Sequence, residues 1–301
     1  MKGIFFLVLP VLAVLASFTG EAVSEEKAAD AAVQKDGDVD NLDNGTLIGD
    51  GTRHSRPARA VSASYGKTVQ KELIDHLTGS VTSNFLSRYV SYGFADSAGW
   101  VWQPSATIEF FNVGFNVWGN FVIEDKPDRG TFNEIDLTLY YNYTTHNFTV
   151  HPYFTVFVYP DSNRLSLDYS SKTDVLPSLH LAYKAGPLSI FTDIQVYVYP
   201  SPGALRGVLG LGLDQKLVAT LNIAMSAEVG FGDSIYNENK FKIDEGGFTF
   251  FQYTLALPWN PVKGFVVKPV AHVCAFMSTR YRNAVSNPVQ VWGGLELSYQ
   301  F

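Results

Sequence analysis

Cysteine occurs once, at Cys274, and methionine only three times in 301 residues. A single thiol excludes an intramolecular disulfide framework and any multi-cysteine zinc or iron–sulfur site. Positive charge is also scarce: 22 Lys and Arg stand against 29 Asp and Glu, a formal net charge of −7. With no basic stripe, the chain does not read as a nucleic-acid binder. Past the first 22 residues, no run approaches the ~18 consecutive apolar residues that mark a membrane-spanning helix. What the chain has in quantity is aromatic residues, 14% of the total, and where the rings fall decides the reading.

The first segment reads as an address. Met1-Lys2 gives a short positive start, Ile4 to Ala16 are almost wholly apolar, and Gly20-Glu21-Ala22 offers small residues for cleavage. This is the pattern of a secretory signal peptide over residues 1–22, so the mature chain is expected to be exported. Residues 23–66 form a polar leader, with acids dominating up to Asp50 and then Arg53, Arg56 and Arg59; this composition predicts disorder. Val69, Leu73, Ile74 and Leu77 recur at helical spacing, which predicts a short amphipathic helix over 67–81, a linker at the membrane surface or a plug in a lumen.

From about residue 82 the period changes to two. In the last segment Val289, Val291, Leu295, Leu297, Tyr299 and Phe301 alternate with Gln290, Trp292, Glu296, Ser298 and Gln300. Successive side chains of a strand point to opposite faces, so one face is apolar and the other mostly polar. Twelve such segments are expected: 83–93, 102–111, 114–123, 132–143, 147–159, 173–184, 188–199, 204–214, 218–231, 248–257, 264–277 and 289–301. Each is close to the ~9–11 residues that a tilted strand needs to cross a bilayer. Short turns alternate with longer polar connections, the layout of a transmembrane antiparallel β-barrel spanning 82–301. In lipid every backbone polar group must be paired within the protein, and a closed sheet leaves no edge. Rings near strand ends (Trp100, Trp102, Tyr140 to Tyr143, Tyr197, Tyr199, Phe250 to Tyr253) fit interfacial girdles. Tyr299 and Phe301 at the terminus fit a signal read by the barrel-insertion machinery.

Four motifs occur in order: Ser87-Arg-Tyr-Val-Ser-Tyr-Gly93, Gln103-Pro104-Ser-Ala-Thr, Gly114-Phe-Asn-Val-Trp-Gly-Asn120 and Asn133-Glu-Ile-Asp-Leu137. This stretch, roughly 83–160, resembles the TorF-type family of bacterial outer-membrane porins, although Tyr92 stands where that pattern has Arg before the glycine. The resemblance implies an outer-membrane barrel of a Gram-negative bacterium acting as a channel, and it supplies no substrate.

Alternation places seventeen side chains toward a lumen as candidate pore-lining residues: Arg88, Glu109, Asn116, Trp118, Asn120, Glu134, Asp136, His151, His180, Asp193, Gln195, Arg206, Asp214, Glu228, Lys268, His272 and Glu296. Seven are carboxylates and three are permanent cations, a balance that favours positive solutes. Trp118 and Tyr197 are candidates for a stacking path. The expected partners are outer-membrane lipids and small hydrophilic solutes, with oligomer formation left open and no cofactor or metal required. Two other classes compete with the channel. A structural or adhesin barrel would carry longer loops. A phospholipase-like barrel enzyme would use Ser178 and His180, but residues two apart on a strand lie about 6.6–6.8 Å apart, beyond the ~2.6–3.2 Å of a nucleophile–base contact.

Overall fold

A computed structural model describes residues 76–126, 128–160, 165–168 and 170–301. The strands are β1 (Leu77–Leu86), β2 (Tyr89–Ser91), β3 (Phe94–Ser97), β4 (Val101–Phe110), β5 (Val113–Val122), β6 (Phe132–Tyr141), β7 (Tyr143–Thr145), β8 (Phe148–Val158), β9 (Thr173–Ala185), β10 (Leu188–Val196), β11 (Leu205–Val218), β12 (Leu221–Gly232), β13 (Gly247–Ala256), β14 (Trp259–Val262), β15 (Phe265–Phe276) and β16 (Val289–Gln300). Among the described residues, two short helices interrupt the loops, α1 (Ser234–Phe241) and α2 (Thr279–Ala284).

Twelve of the strands close on themselves as an antiparallel barrel. Each pairs with its sequence neighbour, and β1 pairs with both β4 and β16, which seals the ring. β7 continues β6 along β8, and β14 continues β13 along β12 and β15. At the seam, Gly79 and Phe301 exchange backbone hydrogen bonds of 3.0 Å in both directions. Both ends of the barrel therefore lie on the side of the short turns. The turn after β4 is built by Phe111 and Asn112, both at positive φ (47° and 67°). That conformation matches the right-handed twist of the strands it joins.

Eleven barrel strands fall close to the segments expected from alternation, and the first does not. The segment expected at 83–93 starts earlier, at Leu77, and stops at Leu86. Residues beyond it leave the barrel wall as the separate hairpin β2–β3, turned by Tyr92 and Gly93 at positive φ (47° and 86°). Its aromatic residues turn into the barrel, Tyr89 onto Trp118 of β5, Tyr92 onto Phe250 of β13 and Phe94 onto Phe276 of β15, so rings in this run do not mark a lipid-facing strand. The helix expected over 67–81 lies mostly outside the described residues; from Leu77 onward the chain is strand. The expected signal segment and polar leader also lie outside the described residues.

The outer face is an apolar belt. Ile108, Phe115, Val117, Leu137, Leu139, Phe154, Ile190, Leu209, Leu211, Val273, Val291 and Leu295 are all exposed on it. A belt of this kind covering a closed sheet defines a transmembrane barrel. Among the described residues no helix is long and apolar enough to cross a membrane.

The rings divide between the two faces. Trp100, Tyr141, Tyr143, Tyr199, Phe251, Tyr299 and Phe301 are exposed, as interfacial girdles require. Tyr197 and Phe250, expected among them, are instead buried inside. They join Leu167, Leu176, Tyr236, Phe241, Phe276, Tyr281 and Trp292 in a core at the long-loop end of the barrel, with Tyr92 and Phe94 packed against it. Period two sets the face of a strand on which a ring lies, and these two point inward.

Candidate functional site

The barrel interior has two unlike halves. At the long-loop end it is filled. The β2–β3 hairpin enters there: Phe94 stacks on Phe241 at 4.8 Å and meets Phe276 edge-on at 5.9 Å, and Tyr92 meets Phe250 edge-on at 6.2 Å. Helix α1 closes over this core. Asp233 caps its start by accepting from the Tyr236 amide at 2.8 Å, and Lys242 ends it in the left-handed region at φ 61°. Asn237 on α1 donates to the Gly232 and Glu245 carbonyls and to the Tyr281 hydroxyl of α2. A buried amide with three acceptors ties the two loop helices together.

Arg206 sits at the boundary between the halves. Its guanidinium carbon is 3.8 Å from the Tyr92 ring centre, with Tyr197, Tyr236 and Phe157 at 5.3, 5.9 and 6.0 Å. Burial pushes the Tyr92 hydroxyl up, against the pull of Arg206. The ring is therefore neutral and offers its π face to the cation. The Arg206 Nε donates to Gln195 at 2.8 Å, and Gln195 donates in turn to the Tyr153 hydroxyl at 2.8 Å. Tyr153 donates to the Asp193 carboxylate, 2.8 Å from each oxygen.

On the wall formed by β4–β6, amides run in a ladder toward the hairpin. Gln103 donates to Asn120 at 2.9 Å, Asn120 to Asn133 at 2.8 Å and Asn133 to Ser97 at 3.4 Å. Glu134 and Asp136 stand beside it, opposite Asn120 and Trp118 in register. Trp118 lies against Tyr89 of the hairpin, ring centres 5.7 Å apart. Arg88 donates to Gln290 across the seam.

Toward the short turns the inner face opens. A cavity of about 830 Å³ at this end is lined by Thr78, Ser80, Thr107, Glu109, Tyr140 and Gln300, among others. Asn116 donates to Ser105 at 2.8 Å and to Thr107 at 2.7 Å. His151 and His180 are cross-strand partners, as are His180 and Asp193. On the far wall Lys268 pairs with Glu296 at 2.7 Å. Four residues further along that wall, toward the filled core, His272 stacks on Trp292 at 4.7 Å and lies 2.9 Å from the Thr254 hydroxyl. Glu228 stands opposite Gln252, and Asp214 accepts from Asn222 at 3.3 Å.

Two glycines under inward rings keep this half open. A Cβ on Gly114 would lie 2.0 Å from the Tyr140 ring, and one on Gly210 would lie 2.2 Å from the Phe191 ring. Both rings therefore lie down against the wall. The Gly207-x-x-Gly210-x-Gly212 run thus relieves crowding within the strand wall.

The structure brings some of the sequence candidates together and separates others. Glu109, His151, His180, Asp193, Gln195 and Arg206 form a connected series through Asn142 and Tyr153. Neither of those two linkers was among the lining candidates: Tyr153 reads only as an aromatic position in an alternating strand, and Asn142 as a polar position at a strand end. Trp118 and Tyr197 do not form a path: Tyr197 belongs to the buried core and Trp118 packs on the hairpin. Ser178 donates to the Leu176 carbonyl of its own strand at 3.5 Å, while His180 Nδ1 faces Asp193 at 3.7 Å. His272 stands apart on β15, away from the other two histidines. Among the described residues there is no group of three or more His, Cys, Asp or Glu arranged to hold a metal ion.

These features define the chain as a transmembrane β-barrel with a polar, partly filled interior. Solved structures it is similar to include two porins and an outer membrane channel. The KdgM porin shares 13% identity over 74% of this chain and 99% of its own, with a TM-score of 0.47. The NanC porin shares 8% over 73% of this chain and 98% of its own, with a TM-score of 0.43. The outer membrane channel DcaP of Acinetobacter baumannii shares 12% over 75% and 96%, with a TM-score of 0.35. No protein-family model and no curated protein matches the chain.

Proposed function

We propose that the protein is an outer-membrane channel of a Gram-negative bacterium for passive diffusion of small hydrophilic solutes, with a preference for cations. The observation that carries this reading is the contrast between the two faces of one closed sheet. The outside is apolar, and the inside presents Glu109, Glu134, Asp136, Asp193, Asp214, Glu228 and Glu296 against Arg88, Arg206 and Lys268. Acidic side chains along a narrow path raise the local concentration of positive solutes. The seventeen inward residues are the proposed pore lining.

Solutes enter from the short-turn side, where the cavity lies. The hairpin β2–β3 occupies the long-loop side, so passage depends on its displacement or on a narrow course beside it. The motifs that resemble TorF-type porins fall on this same region: Ser87 to Gly93 builds the hairpin, and Asn116, Trp118, Asn120, Glu134 and Asp136 stand on the wall it faces. Export on the 1–22 segment, delivery to the insertion machinery through Tyr299 and Phe301, and self-association in the membrane complete the proposal.

Swelling of protein-bearing liposomes in neutral sugars of graded size tests passive passage. Small sugars should enter faster than large ones. Swelling no faster than that of empty liposomes would overturn the proposal.

A further inference from the structure

The geometry points to a site that nothing above assigns: we propose that His151 and His180 together bind one late divalent transition-metal ion, of the Zn²⁺, Ni²⁺ or Cu²⁺ type, on the lumen wall. The two histidines are direct partners on adjacent strands β8 and β9, with ring centres 6.5 Å apart and planes at 89°. Imidazole nitrogens suit these metals. A Zn–N bond is about 2.0–2.1 Å, so sharing one ion requires the two rings, now 6.5 Å apart between centres, to draw closer. Lumen water completes the coordination, which is why two protein ligands suffice where no larger cluster exists.

The surroundings set which nitrogen of each ring is available. Glu109 can only accept, so the Asn142 amide nitrogen, 2.8 Å from Glu109 Oε2, donates to it. That leaves the Asn142 oxygen facing His151 Nδ1 as an acceptor. His151 therefore carries its proton on Nδ1 and keeps the lone pair on Nε2. His180 Nδ1 faces Asp193, held in place by the Tyr153 hydroxyl. A carboxylate there favours the same tautomer. Each ring thus has the outer partner that metal-bound histidines use to fix orientation and raise basicity. The glycine-supported rings of Tyr140 and Phe191 lie next to the pair, stacked on His151 at 4.9 Å and on His180 at 6.1 Å. They limit how the imidazoles can turn.

Calorimetric titration of Zn²⁺ into the purified, metal-free full chain in detergent tests the site. His151→Gln and His180→Gln should each weaken the strongest binding step at least about tenfold. Asn142→Ala should weaken it by about ten- to a hundredfold, the range for losing an outer partner. His272→Gln should leave it unchanged. Heat-modifiable gel mobility shows which variants still fold. On the unaltered protein, Cu²⁺ paramagnetic resonance should show two coupled nitrogens. Wild-type affinity no greater than that of the double variant, or no nitrogen coupling, would overturn the proposal. Binding is read without ionic current, so its failure leaves the channel reading standing, and the reverse also holds.

Discussion

Arg206, on the barrel wall, and Tyr92, at the tip of the inserted hairpin, meet as a cation over a ring at 3.8 Å. The contact joins the only chain segment that leaves the wall between β1 and β4 to the hydrogen-bonded series reaching Asp193. It is the natural latch of the filled half. A desolvated cation–π contact contributes about 2 kcal/mol, which is enough to shift an in/out equilibrium of the hairpin by more than tenfold. Arg206→Met should raise single-channel conductance and expose residues 88–97 to protease. Conductance and cleavage unchanged from wild type would remove the latch.

The hairpin tip gives a second handle on the same element. Gly93 has φ 86°, and a Cβ there would lie 2.9 Å from the Phe276 ring. Gly93→Ala must adopt a disfavoured backbone and press on the core, at a cost of about 1–3 kcal/mol. The barrel should still form, with a lower unfolding temperature in detergent. A melting temperature equal to wild type would contradict the packing described for the hairpin.

Closure of the ring has its own test. A Cβ on Gly294 would fall 1.9 Å from the Phe85 carbonyl oxygen, a backbone atom that cannot yield without breaking the β1–β16 ladder. Gly294→Val should abolish heat-modifiable mobility. Gly247→Ala, whose nearest neighbour is the Tyr281 hydroxyl at 3.9 Å, should preserve it. The opposite pattern would place the seam elsewhere.

Lys268 neutralises Glu296 at 2.7 Å, directly across the β15–β16 pair. Lys268→Gln frees one carboxylate at a partly buried position, at a cost of about 1 kcal/mol in stability. Reversal potentials should move toward the cation equilibrium potential. A shift toward the anion side would contradict the acidic lumen.

The fold was legible because strand alternation leaves a strong mark. Leu221, Ile223, Met225 and Ala227 on β12 can face only one way, and the same rule places Glu228 on the other face. The hairpin was not legible: residues 83–93 alternate poorly, and Tyr89, Tyr92 and Phe94 read only as rings near the end of a wall strand. Only their packing on Trp118, Phe241, Phe250 and Phe276 shows that they turn inward. Helix α1, at eight residues, carries too little periodicity to stand out in a polar loop. Inward residues could be read one strand at a time, whereas their partnerships depend on register. Nothing local to His151 says that it stands opposite His180, or that Asn142 bridges it to Glu109.

Ionic current through the purified protein in planar bilayers under a salt gradient tests the central claim most directly. The expected result is discrete conductance steps with a reversal potential on the cation side. Complete absence of conductance across repeated insertions would contradict the channel, and a reversal potential on the anion side would contradict its acidic lining.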